Sequence, residues 1–270
     1  NEAFSEVSIN ADNQIAFVAK TSGSGQGVFL ASPTTNGFTI QRLVKVGDSS
    51  LDGGVFLTFQ NRTVVSAPGG LGLASVAFNA STSGDTGTGL FIATANGVSL
   101  VKGGGAVGAF SMNNSGQIVF DGGAHIWSGS AGGSAALIHA GDPAPGGGTL
   151  QNLENPAIND GGAIVFSAAI GPEYRAAIFL RTPAGQIKKI AEDGLAIDGG
   201  VLVNVVNAYA KPHLNNKGLV MFVADISKNG NMIPGIFVGD GTDLVKLIAV
   251  GDSIPDGTVG TTSTFFGWNG

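Results

Sequence analysis

Seven aspartates in glycine-rich turns are the residues whose type and spacing best suit chemistry. Each lies in a turn that follows an apolar segment, and together they are half of the chain's 14 aspartates: Asp48, Asp52, Asp142, Asp193, Asp198, Asp252 and Asp256. Carboxylates and backbone carbonyls in such turns are the hard oxygen ligands that Ca²⁺ prefers. Aspartate after glycine also closes a turn on its own, because its side chain hydrogen-bonds to the nearby backbone. We take these residues as candidate binding residues and Ca²⁺ as a candidate cofactor, with turn formation as the favoured interpretation.

The histidines and one short segment give weaker signals for a metal. His125, His139 and His213 are separated by 14 and 74 residues, which is not the spacing of a metal-ligand motif. The sequence favours structural roles for the first two. Segment 225–230 begins like a calcium loop, but Ile236 stands where such a loop ends in glutamate. No residue is assigned a catalytic role.

A repeat that runs along the chain positions these residues. The repeated motif is an apolar residue, Asn, two variable residues, Gly or Asn, one variable residue, and then Ile/Val-x-Phe. Its copies end at Phe17, Phe78, Phe120, Phe166 and Phe222. Asn starts a tight turn in which its side chain bonds the backbone two residues on, and Gly supplies a left-handed conformation. The Ile/Val and Phe then lie on one face of a strand. The repeated Asn therefore predicts a β-hairpin; the second copy is degenerate and lacks it.

Two further strands follow each hairpin. One carries an aromatic residue, as in Gly27-Val28-Phe29, and the other is an apolar strand with basic residues, as in Ile40–Val46. Four short strands in each repeat are the signature of a propeller blade, and lysine on an outer strand blocks edge-to-edge pairing. The sequence predicts an all-β fold, a five-bladed β-propeller of four-stranded antiparallel blades. A β-solenoid or a pair of β-sandwiches is the alternative.

We expect one repeat domain over residues 1–270. Its approximate repeats are 1–54, 55–105, 106–148, 149–200 and 201–257, followed by a tail, 258–270. The tail contains Phe265, Phe266 and Trp268 and resembles the start of a sixth unit. It could pair beside the first blade, insert into a neighbouring molecule by strand exchange, or belong to a longer array.

The repeat resembles the tandem repeats of large exported bacterial proteins, many of which end in surface-sorting tails. Their pattern is similar to alNdxGqvaF…GiF…iaxxGdxaPgg, and residues 158–180 and 212–257 match it best. The resemblance covers nearly the whole chain, although the second repeat departs from it. It implies export and a β-propeller, and it carries no chemistry that transfers to a residue here.

Composition narrows the classes of function. The absence of cysteine excludes disulfides, thiolate zinc sites and iron–sulfur clusters. The balance of 13 basic and 19 acidic residues, a net charge of −6, argues against a nucleic-acid partner. No apolar run approaches the ~18 residues of a membrane helix. The 45 glycines have no collagen period, and a hydrophobic content of 43% argues against disorder.

We therefore expect a non-enzymatic, bacterial-type secreted or cell-surface propeller that acts as a binding, adhesion or structural module for a glycan or another surface protein. A self-assembling surface or fibre subunit is one alternative. A glycoside hydrolase is the other, and it needs two carboxylates about 5–10 Å apart across its substrate. Only Glu6 and Glu154 fall near equivalent innermost positions, whereas other repeats have Ala109 and Lys211 there. Whether the chain is an enzyme is thus undecided, and its residues favour the absence of enzymatic activity.

Overall fold

The computed structural model describes residues 7–23, 25–66, 74–105, 107–206, 211–255 and 257–260. Their regular structure is β-strand throughout, and within these ranges no helix is long and apolar enough to cross a membrane. The chain divides into two compact units. Of the described residues, the first unit comprises those within 7–123 and 127–137, and the second comprises those within 124–126 and 138–260.

Five antiparallel sheets, which we call blades 1 to 5, follow one another along the chain. In blades 1 to 4, four strands pair in chain order. Blade 1 has β1 (Ser8–Ile9), β2 (Ile15–Thr21), β3 (Gly25–Thr34) and β4 (Gly37–Lys45), and blade 2 has β5 (Phe56–Val65), β6 (Val76–Thr82), β7 (Thr88–Thr94) and β8 (Gly97–Lys102). Blade 3 has β9 (Phe110–Met112), β10 (Ile118–Gly122), β11 (His125–Ser130) and β12 (Gly133–His139), and blade 4 has β13 (Thr149–Ile158), β14 (Ile164–Gly171), β15 (Arg175–Arg181) and β16 (Ile187–Glu192).

Blade 5 differs because its first strand is divided. The short strand β17 (Ala196–Ile197) pairs with β18 (Gly200–Val203), and both β18 and β19 (His213–Leu214) pair with β20 (Val220–Lys228). The blade is completed by β21 (Asn231–Gly239) and β22 (Leu244–Ala249). A small hairpin of β23 (Ser253–Ile254) and β24 (Gly257–Thr258) follows.

The repeated Asn closes the turn between the first and second strands, as the sequence predicts. In blade 4 the Asn159 Oδ1 atom accepts a hydrogen bond from the Ala163 N–H at 2.9 Å. Gly162 in the same turn has φ +80° and donates its N–H to the Asn159 carbonyl at 3.0 Å. Blade 1 has Asn13 in place of the glycine, at φ +56°. Asparagine tolerates this left-handed conformation, which explains the choice of Gly or Asn in the motif.

A stacked pair of aromatic rings joins the second and third strands of every blade. In blades 1, 2, 4 and 5 the paired rings are direct cross-strand neighbours, as Phe166 and Phe179 are in blade 4. Ring centroids lie 5.4–6.1 Å apart and interplanar angles lie between 4° and 24° for the pairs Phe17–Phe29, Phe78–Phe91, Phe120–Trp127, Phe166–Phe179 and Phe222–Phe237. The recurring aromatic residues therefore mark the register between two strands, although the length of chain between them differs from blade to blade.

Blades pack face to face within each unit. In the first unit, Phe78 and Phe91 of blade 2 pack in a buried cluster with Val18 of blade 1, while Leu90 packs in a second cluster with Phe120 of blade 3. In the second unit, strands of blades 4 and 5 share a buried cluster. Since blade 2 buries both faces, a pair of two-layer sandwiches does not describe it, and sequential antiparallel pairing is not that of a β-solenoid. The predicted all-β fold class with four-stranded propeller blades is confirmed.

The repeated Asn has a second role that the sequence did not show. The Asn159 Nδ2 atom donates to the Asn215 carbonyl of blade 5 at 3.0 Å. Asn10 of blade 1 donates in the same way to the Ser66 carbonyl at the end of the first strand of blade 2, at 2.8 Å. Each bond spans 56 residues. The turn asparagine thus ties one blade to the next.

The second and third strands of blade 5 form a tight hairpin. Strands β20 and β21 pair as far as Lys228 and Asn231. Only Asn229 (φ +52°) and Gly230 (φ +78°) form the turn. Two consecutive positive φ angles are the geometry of a two-residue hairpin, for which Asn-Gly is the preferred sequence.

Replacing Asn159 with alanine should lower the free energy of unfolding by about 2 kcal/mol, because it leaves a buried N–H and a carbonyl without partners. Urea denaturation measures this. Asn215→Ala is the matched control: the Asn215 side chain also accepts turn N–H groups, from Lys217 and Leu219, but it is exposed, so water can replace it as their acceptor. We expect a loss of about 1 kcal/mol there. Equal losses would contradict the role of the tie between blades.

Candidate functional site

Three of the acidic turns share one geometry. Asp48, Asp142 and Asp252 each accept, at Oδ2, the N–H of the residue three positions earlier, at 2.9, 2.8 and 2.8 Å. The glycine before each aspartate has a φ between +87° and +95°, a left-handed conformation in which a side chain is strained. The Gly-Asp pair therefore ends the outer strand of its blade.

The same turns lead the chain into the next strand. Gly47 donates its N–H to the Phe56 carbonyl at 2.9 Å, and Phe56 donates to the Asp48 carbonyl at 3.0 Å. Gly141 and Leu150 repeat the arrangement after blade 3, and Gly251 and Val259 repeat it after blade 5. These hydrogen bonds support the turn interpretation of the aspartates, and a role for them in binding stays a prediction.

Asp52 joins the turn after blade 1 to a hairpin of blade 2. Its carboxylate accepts hydrogen bonds from the Ser50 hydroxyl, from the Thr82 hydroxyl at 2.7 Å and from the Thr86 N–H at 2.8 Å. The Ser50 and Thr82 hydroxyls hold the pKa of Asp52 well below its usual range. The ideal Cβ position of Gly84 lies so close to the Asp52 side chain that a larger residue would collide with it.

Two of the predicted aspartates meet around one lysine in the second unit. Lys246 Nζ lies 2.7 Å from Asp198 Oδ2 and 3.0 Å from Asp252 Oδ1. These bonds raise the pKa of Lys246, and Lys246 lowers the pKa of Asp252. Asp193 lies in a different contact, accepting the Val205 N–H at 3.0 Å. The cation at the centre of the Asp198–Asp252 pair is thus an ammonium group of the chain itself.

Some of the remaining predicted residues lie in the described part of the chain, and the others lie outside it. Within the described ranges, no three or more His, Asp or Glu side chains are grouped so that they could hold a metal ion. Asp225 lies on β20 and accepts a hydrogen bond from Asn204 at 2.7 Å, so the segment that resembles a calcium loop forms the end of a strand and the hairpin turn after it. Glu154 is exposed on β13. The other predicted residues lie outside the described part of the chain: Glu6, Asp256, Phe265, Phe266 and Trp268.

An open cleft of about 270 Å³, which we call the rim cleft, lies along the outer strand of blade 4. It is lined by Lys189 to Glu192 of β16, by Leu195, and by residues 241–244, which lie in the turn after β21 and at the start of β22. Glu192 accepts hydrogen bonds there from Lys189 at 2.6 Å and from Arg175 at 2.9 Å. The turn between β21 and β22 is held by Asp240, whose carboxylate accepts the N–H groups of Thr242 and Asp243; these bonds lower its pKa.

Sequence reasoning missed two groupings. The rim cleft combines residues about 50 positions apart on two blades, and the only sequence signal for it was a basic pair followed by Glu192. His125 and His139 lie side by side with ring centroids 4.8 Å apart. Aligning the repeats could have found this pair, since the two positions are cross-strand neighbours in other blades, as Gly27 and Lys45 are in blade 1.

Replacing Asp52 with asparagine should make stability less sensitive to acid. Its pKa in the folded protein lies below the ordinary 3.8, so Asp52 stabilises the fold above about pH 4. That contribution is lost as the pH falls through the folded-state pKa. Melting temperatures from about pH 7 down to about pH 3 should therefore fall less steeply for Asp52→Asn, which starts lower.

Asp85→Asn is the matched control for this series, because it removes an exposed carboxylate from the same hairpin of blade 2. It should keep the pH dependence of the unaltered chain. The account of Asp52 would be wrong if both variants gave the same slope as the unaltered chain.

Comparison with known proteins places the chain in a family. No curated protein is significantly similar to it. Among solved structures, native arabinanase Arb43A of Bacillus subtilis aligns with 91% of this chain and 94% of its own, at 12% identity and a TM-score of 0.33, a level that carries no information about activity. A family model described as a family of unknown function, DUF7453, matches residues 109–269, which is more than half of the chain. The chain therefore belongs to the DUF7453 family.

Proposed function

We propose that the chain is a non-enzymatic binding module, secreted or displayed at a cell surface, that holds a glycan in the rim cleft. The observation that carries this proposal is the composition of that cleft. Ammonium, carboxylate and hydroxyl groups lie together there, from Lys189, Glu192, Asp243 and Thr242, beside the apolar side chain of Leu195.

Sugar chemistry fits this combination. Each sugar hydroxyl both donates and accepts hydrogen bonds, so a carboxylate acceptor next to an ammonium donor can bind neighbouring hydroxyls. Apolar side chains in the same cleft can contact the C–H face of the ring. Glu192 is already oriented by Lys189 and Arg175, and its side chain is only 16% exposed. An oriented carboxylate loses little conformational freedom when a ligand binds.

The use of the repeated residues supports a scaffold role. The turn asparagines tie strands and blades together, and three Gly-Asp turns end outer strands. Because these groups already have backbone partners, the residues that differ between blades are the better candidates for contact with a partner. The expectation of export rests on the resemblance to exported bacterial repeat proteins.

Exposed apolar side chains on outer strands favour a second candidate function, contact with another surface protein. Phe38 and Ile40 on β4 are 54% and 61% exposed, and Val245 and Leu247 on β22 are 60% and 62% exposed. Both strands are the outermost of their sheets. An outer strand with free backbone groups and apolar side chains can pair with a strand of another chain.

A panel of neutral and acidic oligosaccharides, tested with the purified chain on an array and then by calorimetry, tests the glycan proposal. Glu192→Gln should weaken binding at least about tenfold, since it removes a charged and partly buried partner of the ligand. Glu173→Gln is the control: Glu173 also pairs with Arg175, at 3.2 Å, but it does not line the cleft. Binding that is unchanged in Glu192→Gln, or lost equally in both variants, would contradict the proposal.

A further inference from the structure

We propose that His125 and His139 form a two-imidazole site for a divalent transition metal, of which Cu²⁺, Ni²⁺ and Zn²⁺ are the candidates. This site is separate from the rim cleft and does not depend on the proposed function. It rests on the register of two strands, on the placement of the two rings, and on the way blade 3 departs from the other blades.

The strand register places the two histidines opposite each other. Strands β11 and β12 are neighbours in the sheet of blade 3, and Ala140 donates its N–H to the Ala124 carbonyl at 2.8 Å. One step further along both strands, His125 faces His139. Directly opposite residues of an antiparallel pair have Cβ atoms about 5 Å apart. At this separation, the imidazoles of two histidines can bind the same metal ion.

The geometry of the two rings is compatible with the binding of one metal ion by both. The two centroids lie 4.8 Å apart with an interplanar angle of 77°. Nitrogen atoms that bind one metal ion at about 2.1 Å lie about 3 Å from each other, so rotation of the rings about their own side-chain bonds suffices. His139 is exposed and His125 is partly buried, so an ion can enter from solvent.

The backbone around His139 is fixed before any ion binds. Its N–H donates to Asp142 Oδ2 at 2.8 Å, which is the hydrogen bond that ends the outer strand in this type of turn. Such a positioned ligand needs little reorganisation. The described residues add no third His, Asp or Glu ligand to the pair, so water completes the coordination shell.

Other blades show that this pair is a departure from the repeat. The equivalent cross-strand pairs are Gly27–Lys45, Ala177–Glu192 and Gly235–Ala249. In blades 1 and 5 the glycine is packed beneath the aromatic ring two residues on, at 3.1 and 3.3 Å from its ideal Cβ position. Blade 3 has Trp127 in place of this phenylalanine, and the Trp127 ring donates to the Gly122 carbonyl at 3.1 Å. The blades with phenylalanine two residues on thus have glycine or alanine at the position equivalent to His125. Blade 3, which has tryptophan instead, carries the larger histidine side chain there.

The preference among metals follows from the ligands. Imidazole nitrogen suits copper, nickel and zinc, whereas Ca²⁺ and Mg²⁺ prefer oxygen. For one nitrogen site, affinity among these ions is greatest for Cu²⁺. We expect one ion per chain, Cu²⁺ bound more tightly than Ni²⁺ or Zn²⁺, and no competition from Ca²⁺.

Titration of the purified chain with CuCl₂ and NiCl₂, followed by calorimetry, tests the proposal. His139→Ala should bind each ion at least about tenfold more weakly, because one of two ligands is lost. His125→Gly should do the same while keeping the fold, since glycine occupies this position in blades 1 and 5. Circular dichroism verifies folding of both variants.

His213→Ala is the matched control, because it removes the third histidine of the chain and leaves the pair intact. It should bind the ions as the unaltered chain does. The proposal would be overturned if the unaltered chain bound neither ion, if either single variant of the pair kept full affinity, or if His213→Ala lost as much affinity as they do.

Discussion

The stacked aromatic pair between the second and third strands is the interaction on which the other features of each blade depend. It fixes the register of the two central strands, as with Phe166 opposite Phe179. It also fills the space between neighbouring sheets, where Phe78 and Phe222 are buried almost completely. A large ring on alternate positions of a strand commits one face to a neighbouring blade, because shifting the register by one residue would move every side chain to the other face. The strand edges and turns can then vary.

Short polar turns complete the blade around this centre. The repeated asparagines supply acceptors for their own turns, and Asn10 and Asn159 also donate a hydrogen bond to the next blade. The Gly-Asp turns end the outer strands in a similar way, because the aspartate carboxylate accepts a backbone N–H of its own strand. The repeat therefore encodes architecture, and the two sites that we propose, the rim cleft and the histidine pair of blade 3, lie where the blades differ.

Local patterns in the sequence predicted the fold well, and contacts between distant segments limited the prediction of sites. The positions of Asn and Phe predicted the turns and the paired strands because their physical causes lie within a few residues. The hydroxyl and N–H partners of Asp52 on Thr82 and Thr86 lie 30 and 34 residues away, so its role as a link between turns could not be foreseen. The rim cleft depends on two blades packing together. The proximity of His125 and His139 required a register that only alignment of the repeats reveals.

The central claim, that the repeated residues form one uniform scaffold, is tested most directly by native-state hydrogen exchange followed residue by residue. The account predicts that in every blade the slowest amides lie in the second and third strands around the aromatic pair, including Phe120 and Trp127 of blade 3. The turn N–H groups that asparagine side chains accept, such as that of Ala163, should be protected as well. A blade whose central strands exchange as fast as its exposed hairpin turns would contradict the claim.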